Sequence, residues 1–143
     1  MAGAPPVQHI EHWTLVTSDM ERTKRFYREV LGASEPQRVS PGPECMKLGN
    51  TTIDFFPAGE DRVPSPGGRG QHHAYVIALE DYDRWVEHLK SQGVDHRLQT
   101  HGLRWMSIYL DDPDGYHFEL TVKFDDDETG RREMEKRGLS YRS

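Results

Sequence analysis

The chain holds eight histidines, 24 acidic side chains and a single cysteine, Cys45. Any metal chemistry must therefore be built from imidazoles and carboxylates rather than from clustered thiolates. Three such residues stand on segments that read as strands: His12 in the run His9 to Val16, His72 in the run His72 to Leu79, and Glu119 in the run His117 to Lys123. Side chains alternate across a strand, so His12 shares a face with Thr14 and Val16 while Trp13 and Leu15 take the other. The same rule groups His72 with Ala74 and Val76, sends His73 to the opposite face, and groups Glu119 with His117 and Thr121. A slip of one residue in register would exchange His72 for His73. If the three strands converge, two imidazoles and one carboxylate form a mixed nitrogen and oxygen set. That set suits Fe(II), Mn, Zn, Ni or Co and leaves positions open for a bidentate ligand or water. Taken singly, a strand histidine is an ordinary structural or exposed residue, and Asp112-Pro113-Asp114-Gly115 is a turn. The combination and its order carry the argument.

The elements that must position these residues come in two similar sets. The first strand runs into Ser18-Asp19, a helix-cap signal, and a helix fits Met20 to Leu31. Thr23, Phe26, Tyr27, Val30 and Leu31 recur there at inward spacing, and Gly32 stands where helices often stop. Pro36 to Pro43 reads as loop with a further strand possible near Gln37 to Ser40. Glu44 to Leu48 and Thr51 to Phe56 read as strands joined at Gly49-Asn50. The Pro- and Gly-rich stretch Pro57 to Gly70 is expected to be a flexible connector. After it the order repeats: strand His72 to Leu79, cap Asp81, helix Tyr82 to Gln92 ending at Gly93, then strands near His96 to Thr100, Trp105 to Leu110 and His117 to Lys123. A His-bearing strand followed by a Gly-terminated helix in both halves is an internal repeat. The tail Asp125 to Ser143 is highly charged and reads either as a short surface helix or as disordered chain.

Composition narrows the function classes. At 143 residues the chain fits one ordinary domain or two small repeats sharing a core. Net charge −6 with 18 scattered Lys and Arg offers no basic stripe for a phosphate backbone, so nucleic acid is not expected as a partner. No apolar run of about 18 residues is present to span a bilayer, and MAGAPPVQHI lacks the regions of a secretory signal. Membrane partners are not expected, and the cytoplasm is the expected location. The lone Cys45 excludes an internal disulfide.

At this point the residues carry a family resemblance. His12-Trp13-Thr14-Leu15-Val16-Thr17-Ser18-Asp19, then Phe26-Tyr27 and Leu31-Gly32, resemble the opening of a vicinal oxygen chelate module. His72-His73-Ala74-Tyr75, Gln92-Gly93-Val94 and Asp111-Asp112-Pro113-Asp114-Gly115-Tyr116-His117-Phe118-Glu119-Leu120 resemble the second module. The resemblance covers roughly Val7 to Val122. It implies an α+β fold of two βαβββ modules forming a paired, cup-shaped mixed sheet. The implied organisation is a single domain over 1–124, with module one about 7–57, a linker 58–70 and module two about 71–124, followed by the tail 125–143. The superfamily includes glyoxalase I, extradiol catechol dioxygenases, fosfomycin resistance enzymes, methylmalonyl-CoA epimerase and metal-free bleomycin-binding proteins, so it sets fold better than reaction.

The resemblance implies metal ligands on the first strand of each module and the last strand of the second, places held here by His12, His72 and Glu119. Tyr109 stands where extradiol and fosfomycin enzymes direct a tyrosine at substrate, and His101 near where extradiol enzymes carry a substrate-touching histidine. Asp54 stands where glyoxalase I carries a glutamate that is both fourth ligand and base, although its carboxylate is one methylene shorter. Val16 replaces the arginine that glyoxalase I uses for glutathione, which argues against that substrate. Glu44 falls near the general base of hydrolytic fosfomycin enzymes, but reads better as an exposed loop residue. The expected activity is divalent-metal Lewis-acid chemistry on a small vicinal-dioxygen substrate. An extradiol-type dioxygenase using Fe(II) or Mn(II) is the first branch. A glyoxalase-like lyase or isomerase, or a fosfomycin-type transferase, with Zn, Ni, Mn or Co is the alternative, and a metal-free drug-binding protein is a third. A homodimer is expected, in which either each chain completes its own site or His12 from one chain joins His72 and Glu119 from the other.

Overall fold

The structure, a computed structural model, describes residues 3–38 and 41–141 and divides into two compact units, Met1–Pro64 and Ser65–Ser143. The first contains β1 (His12–Thr17), α1 (Met20–Glu29), β2 (Gln37–Arg38), β3 (Glu44–Leu48) and β4 (Thr51–Pro57). Its sheet order is β1-β4-β3-β2, with β1 parallel to β4 and the other pairs antiparallel. The second contains β5 (His73–Val76), a 3-10 turn at Leu79–Asp81, α2 (Tyr82–Ser91), β6 (His96–His101), β7 (Trp105–Asp111), β8 (His117–Lys123) and α3 (Asp127–Lys136). Its order is β5-β8-β7-β6, again with one parallel pair, β5 with β8. The βαβββ order thus occurs twice, as the α+β reading requires.

Local chemistry explains the α1 boundaries. The Asp19 side chain accepts the Arg22 N–H at 3.0 Å, satisfying one donor of the first turn. Gly32 ends the helix at φ 74°, a conformation costly for other residues. Thr23 and Tyr27, four apart, bury one face. Tyr27 meets Phe55 edge-on at 5.3 Å, and Leu15, Met46 and Ile53 complete this core. Phe26, expected inward, is half-buried.

Strand alternation leaves each sheet a packed face and an open one. Leu15, Ile53, Phe55 and Met46 mark the packed face of the first sheet. Phe118, Leu120, Ile108 and Leu110 mark that of the second. The opposite faces carry the polar side chains described below.

Four sequence expectations change, and the tail takes one of its two readings. The first strand begins at His12 rather than His9, and His72 sits just before β5 rather than inside it. In the expected strand near 37–40 only Gln37–Arg38 is strand, and Val39 and Ser40 lie outside the described residues. The connector's second part is tied to the second unit, because the Ser65 N–H donates to the Tyr116 hydroxyl at 3.2 Å. The tail forms α3, capped by Asp126 and fitted closely at Gly130, where a Cβ would fall 1.8 Å from the Leu103 carbonyl oxygen. No helix of the described residues is long and apolar enough to cross a membrane.

Candidate metal centre and its surroundings

On the open face of the second sheet β8 presents Glu119, 7% exposed, and the chain entering β5 presents His72. His72 Nε2 lies 2.9 Å from Glu119 Oε2. His72 Nδ1 donates to the Arg69 carbonyl at 3.2 Å, which orients the ring. The other carboxylate oxygen, Oε1, accepts from Ser107 Oγ at 2.6 Å, and Ser107 also meets Thr121 Oγ1 at 2.9 Å. An imidazole and a carboxylate facing each other, each held from behind by a hydrogen bond, are the donor types and supporting shell that a divalent cation takes. His73 faces the packed side and lies against Phe118, and its burial, then the charge of His72, lowers its pKa. The observed register therefore brings His72, not His73, to Glu119.

Tyr109 is the direct cross-strand neighbour of Glu119. Its ring meets His72 edge-on at 5.7 Å, and its hydroxyl lies 2.7 Å from His101 Nε2. Burial, and then the Glu119 charge, push the phenol up to about 12, so at neutral pH it keeps its proton and acts as a donor. The Arg97 guanidinium lies over the Tyr109 ring, 4.9 Å from its centroid. Beside this group is a cavity of about 530 Å³ lined by Arg69, His96, Arg97, Tyr109, Asp111 and His117 among others, a size suited to a small molecule.

The first unit carries the other candidate ligand. His12 and Asp54 lie on the open face of its sheet, with His12 Nε2 3.9 Å from Asp54 Oδ2 and His12 Nδ1 paired to Glu11. Cys45 is the cross-strand partner of Asp54, and burial, then Asp54 and Glu11, raise its thiol pKa. Glu44 is neither in a loop nor on this face. It is a β3 residue opposite Phe55 on the packed side, paired with Lys24 Nζ at 2.9 Å.

The structure thus joins His72 with Glu119, Tyr109 with His101, and His12 with Asp54. Among the described residues no group of three or more His, Cys, Asp or Glu side chains gathers closely enough to hold a metal ion. Sequence reasoning missed Ser107 and Arg97. A serine or arginine inside a strand carries no signal until cross-strand register shows what it faces.

Comparison with known proteins adds the family. The family model described as Glyoxalase/Bleomycin resistance protein/Dioxygenase superfamily matches residues 9–120. The chain is 28% identical over 117 residues to the glutathione transferase FosA of Serratia marcescens, covering 81% of this chain and 82% of that protein. It is 31% identical over 122 residues to the fosfomycin resistance protein FosX of Listeria monocytogenes, covering 80% and 89%. A crystal structure of the Listeria monocytogenes FosX superposes with TM-score 0.70 at 23% identity, covering 88% of this chain and 99% of that one. One of these relatives is named a glutathione transferase and the other a fosfomycin resistance protein, and neither an extradiol dioxygenase. With both βαβββ units formed and the match spanning nearly all of them, the chain belongs to the glyoxalase/bleomycin resistance/dioxygenase superfamily.

Proposed function

We propose that this chain is a divalent-metal enzyme of the fosfomycin-resistance type. In this reading His12, His72 and Glu119 hold the ion, and a small oxygen-rich molecule is opened by a nucleophile. The observation that carries the proposal is the 2.9 Å approach of His72 Nε2 to Glu119 Oε2, with Oε1 already occupied by Ser107. The names of the relatives support the fosfomycin branch over the dioxygenase branch that Tyr109 and His101 alone suggest. A bound divalent ion would supply Lewis acidity to substrate oxygens.

The chain's own residues divide the remaining work. Glu119 contributes charge from a site that largely excludes water, and Ser107, holding Oε1, keeps Oε2 aimed at the ion. Tyr109, protonated at neutral pH, donates a hydrogen bond to oxygen that gains negative charge, and His101 holds the phenol. Val16 stands where glyoxalase I carries its glutathione-binding arginine, whereas one relative is named a glutathione transferase, so water, cysteine and glutathione are all candidate nucleophiles. Such chemistry needs no redox change, which favours Mn(II), Zn, Ni or Co over Fe(II).

The test loads the protein with each of these metals in turn and supplies fosfomycin with water alone, cysteine or glutathione. Phosphorus NMR follows the product, and a catechol with oxygen serves as the parallel substrate. Metal-dependent loss of fosfomycin that disappears in His72→Ala is the expected result. Catechol cleavage with fosfomycin untouched would restore the dioxygenase branch, and tight drug binding without metal or turnover would favour the binding protein.

Assembly belongs to the same proposal: a homodimer in which His12 of one chain completes the pair on the other. Co-refolding an inactive His12→Ala chain with an inactive Glu119→Ala chain then yields one intact site per mixed dimer, and activity returns. Verified mixed dimers without activity would show that each chain completes its own site.

A further inference from the structure

We infer that Tyr116 and His117 form a clasp that positions the ligand His72 by fastening the loop 65–71 to the start of β8. The inference rests on the proposal that His72 holds a metal. His72 stands outside the strand ladder, whose first pair is His73 with Phe118. It follows Ser65-Pro66-Gly67-Gly68-Arg69-Gly70-Gln71, a stretch whose three glycines give it wide backbone freedom. A ligand on so loose a segment would be poorly aimed unless something else held the segment.

The structure supplies that hold from the opposite strand end. His117 Nε2 donates to the Gly67 carbonyl at 3.2 Å, while Nδ1 is fixed on Asp111 Oδ1 at 2.6 Å. The Tyr116 hydroxyl accepts the Ser65 N–H at 3.2 Å. Pro66 lies against Gly115, where an added Cβ would sit 3.5 Å from its ring. Within the loop the Gln71 N–H donates to the Gly68 carbonyl at 2.9 Å, and Gly67 takes φ 73°. The Arg69 carbonyl then receives His72 Nδ1.

The anchor is itself rigid: buried Asp112 accepts the N–H groups of Asp114 and Tyr116, each at 2.9 Å. The Asp-Pro-Asp-Gly turn is thus the base of a chain of contacts that ends at His72. Because both ring nitrogens of His117 are engaged, this histidine acts as a positioning residue although it shares a face with Glu119.

The test measures Mn(II) affinity by electron paramagnetic resonance for the full-length wild type, His117→Leu, Tyr116→Phe, His72→Ala and the His72→Ala/His117→Leu double variant. Thermal melting confirms that each is folded. His117→Leu should weaken binding about tenfold, as loss of an outer-shell partner does. Tyr116→Phe, the milder change, should weaken it less but in the same direction, and it serves alone if His117→Leu does not fold. In the His72→Ala background His117→Leu should change nothing further, because its effect passes through His72. An unchanged affinity in both clasp variants, or an equal additional loss without His72, would overturn the clasp while leaving the metal reading intact. Absence of Mn(II) binding by the wild type, or its independence of His72, would overturn both.

Discussion

The two units place a histidine and a carboxylate in the same topological relation. In the first, His12 stands two residues before the strand partner of Asp54, and in the second, His72 stands two residues before the strand partner of Glu119. Even so, the pairs differ in how firmly they are held. Glu119 reaches its histidine at 2.9 Å with 10% of its side chain exposed, whereas Asp54, one methylene shorter, stops at 3.9 Å with 21% exposed. His72 leans on a backbone carbonyl and His12 on the exposed side chain of Glu11. The cross-strand neighbour of Glu119 is Tyr109, and that of Asp54 is Cys45. One ancestral-looking arrangement therefore carries two levels of support, and the better supported pair is where a metal should be held most tightly.

The largest expected effect contrasts the two carboxylates. Glu119→Gln should reduce metal affinity beyond the roughly 10- to 100-fold that loss of an outer-shell partner costs, while Asp54→Asn should leave it nearly unchanged in the same titration. Equal losses would break the comparison and make Asp54 a fourth ligand.

Next comes the pair of neighbours. Tyr109→Phe should keep folding and metal content while lowering turnover roughly 10- to 100-fold, the scale of losing one donor to developing charge. Cys45→Ser should leave turnover unchanged. Progress curves on metal-replete protein separate the two, and a Cys45 effect as large as that of Tyr109 would place reacting groups on both sheets.

Ser107→Ala should act more modestly, on aim and on stability together. It leaves Glu119 Oε1 without its donor, which should destabilise the fold by about 1–3 kcal/mol and weaken metal binding about tenfold. Urea unfolding and metal titration read the two quantities. A loss of stability with metal affinity intact would reduce Ser107 to a packing role.

The smallest effect is alkaline. Burial raises the phenols of Tyr82 and Tyr109, both in the second unit, to about 12 from an ordinary 10.0. The folded chain keeps these protons while the unfolded chain releases them. The stability they confer is therefore complete below pH 10 and declines between about 10 and 12. Tyr109→Phe should flatten part of that decline in pH-dependent unfolding, and an unaltered slope would mean that the Tyr109 phenol titrates normally.

Much of this was legible in the sequence because the signals are local. Alternation around His12 and Glu119, Asp19 as a cap, and Gly32 and Gly93 as helix stops all depend on neighbours within a few residues. What escaped depends on register or on distant partners. Ser107 gains meaning only opposite Thr121 and beside Glu119. Glu44 is turned to the packed side by its pairing with Phe55 and by Lys24 from α1. Residues 65–71 look flexible from their glycines and prolines, yet the groups that hold them lie some fifty positions away at Tyr116 and His117. The reaction branch was the least legible, since a tyrosine at the place of Tyr109 is shared by the oxygenase and fosfomycin branches and His101 leans toward the oxygenase one.

Anomalous diffraction from crystals of the full chain soaked in Mn(II) would locate the ion itself. The expected peak lies within coordination distance of His72 Nε2 and Glu119 Oε2, completed by the His12 imidazole of the dimer mate. A peak on His12 and Asp54 alone, a peak on His73, or no peak at saturating Mn(II) would contradict that placement.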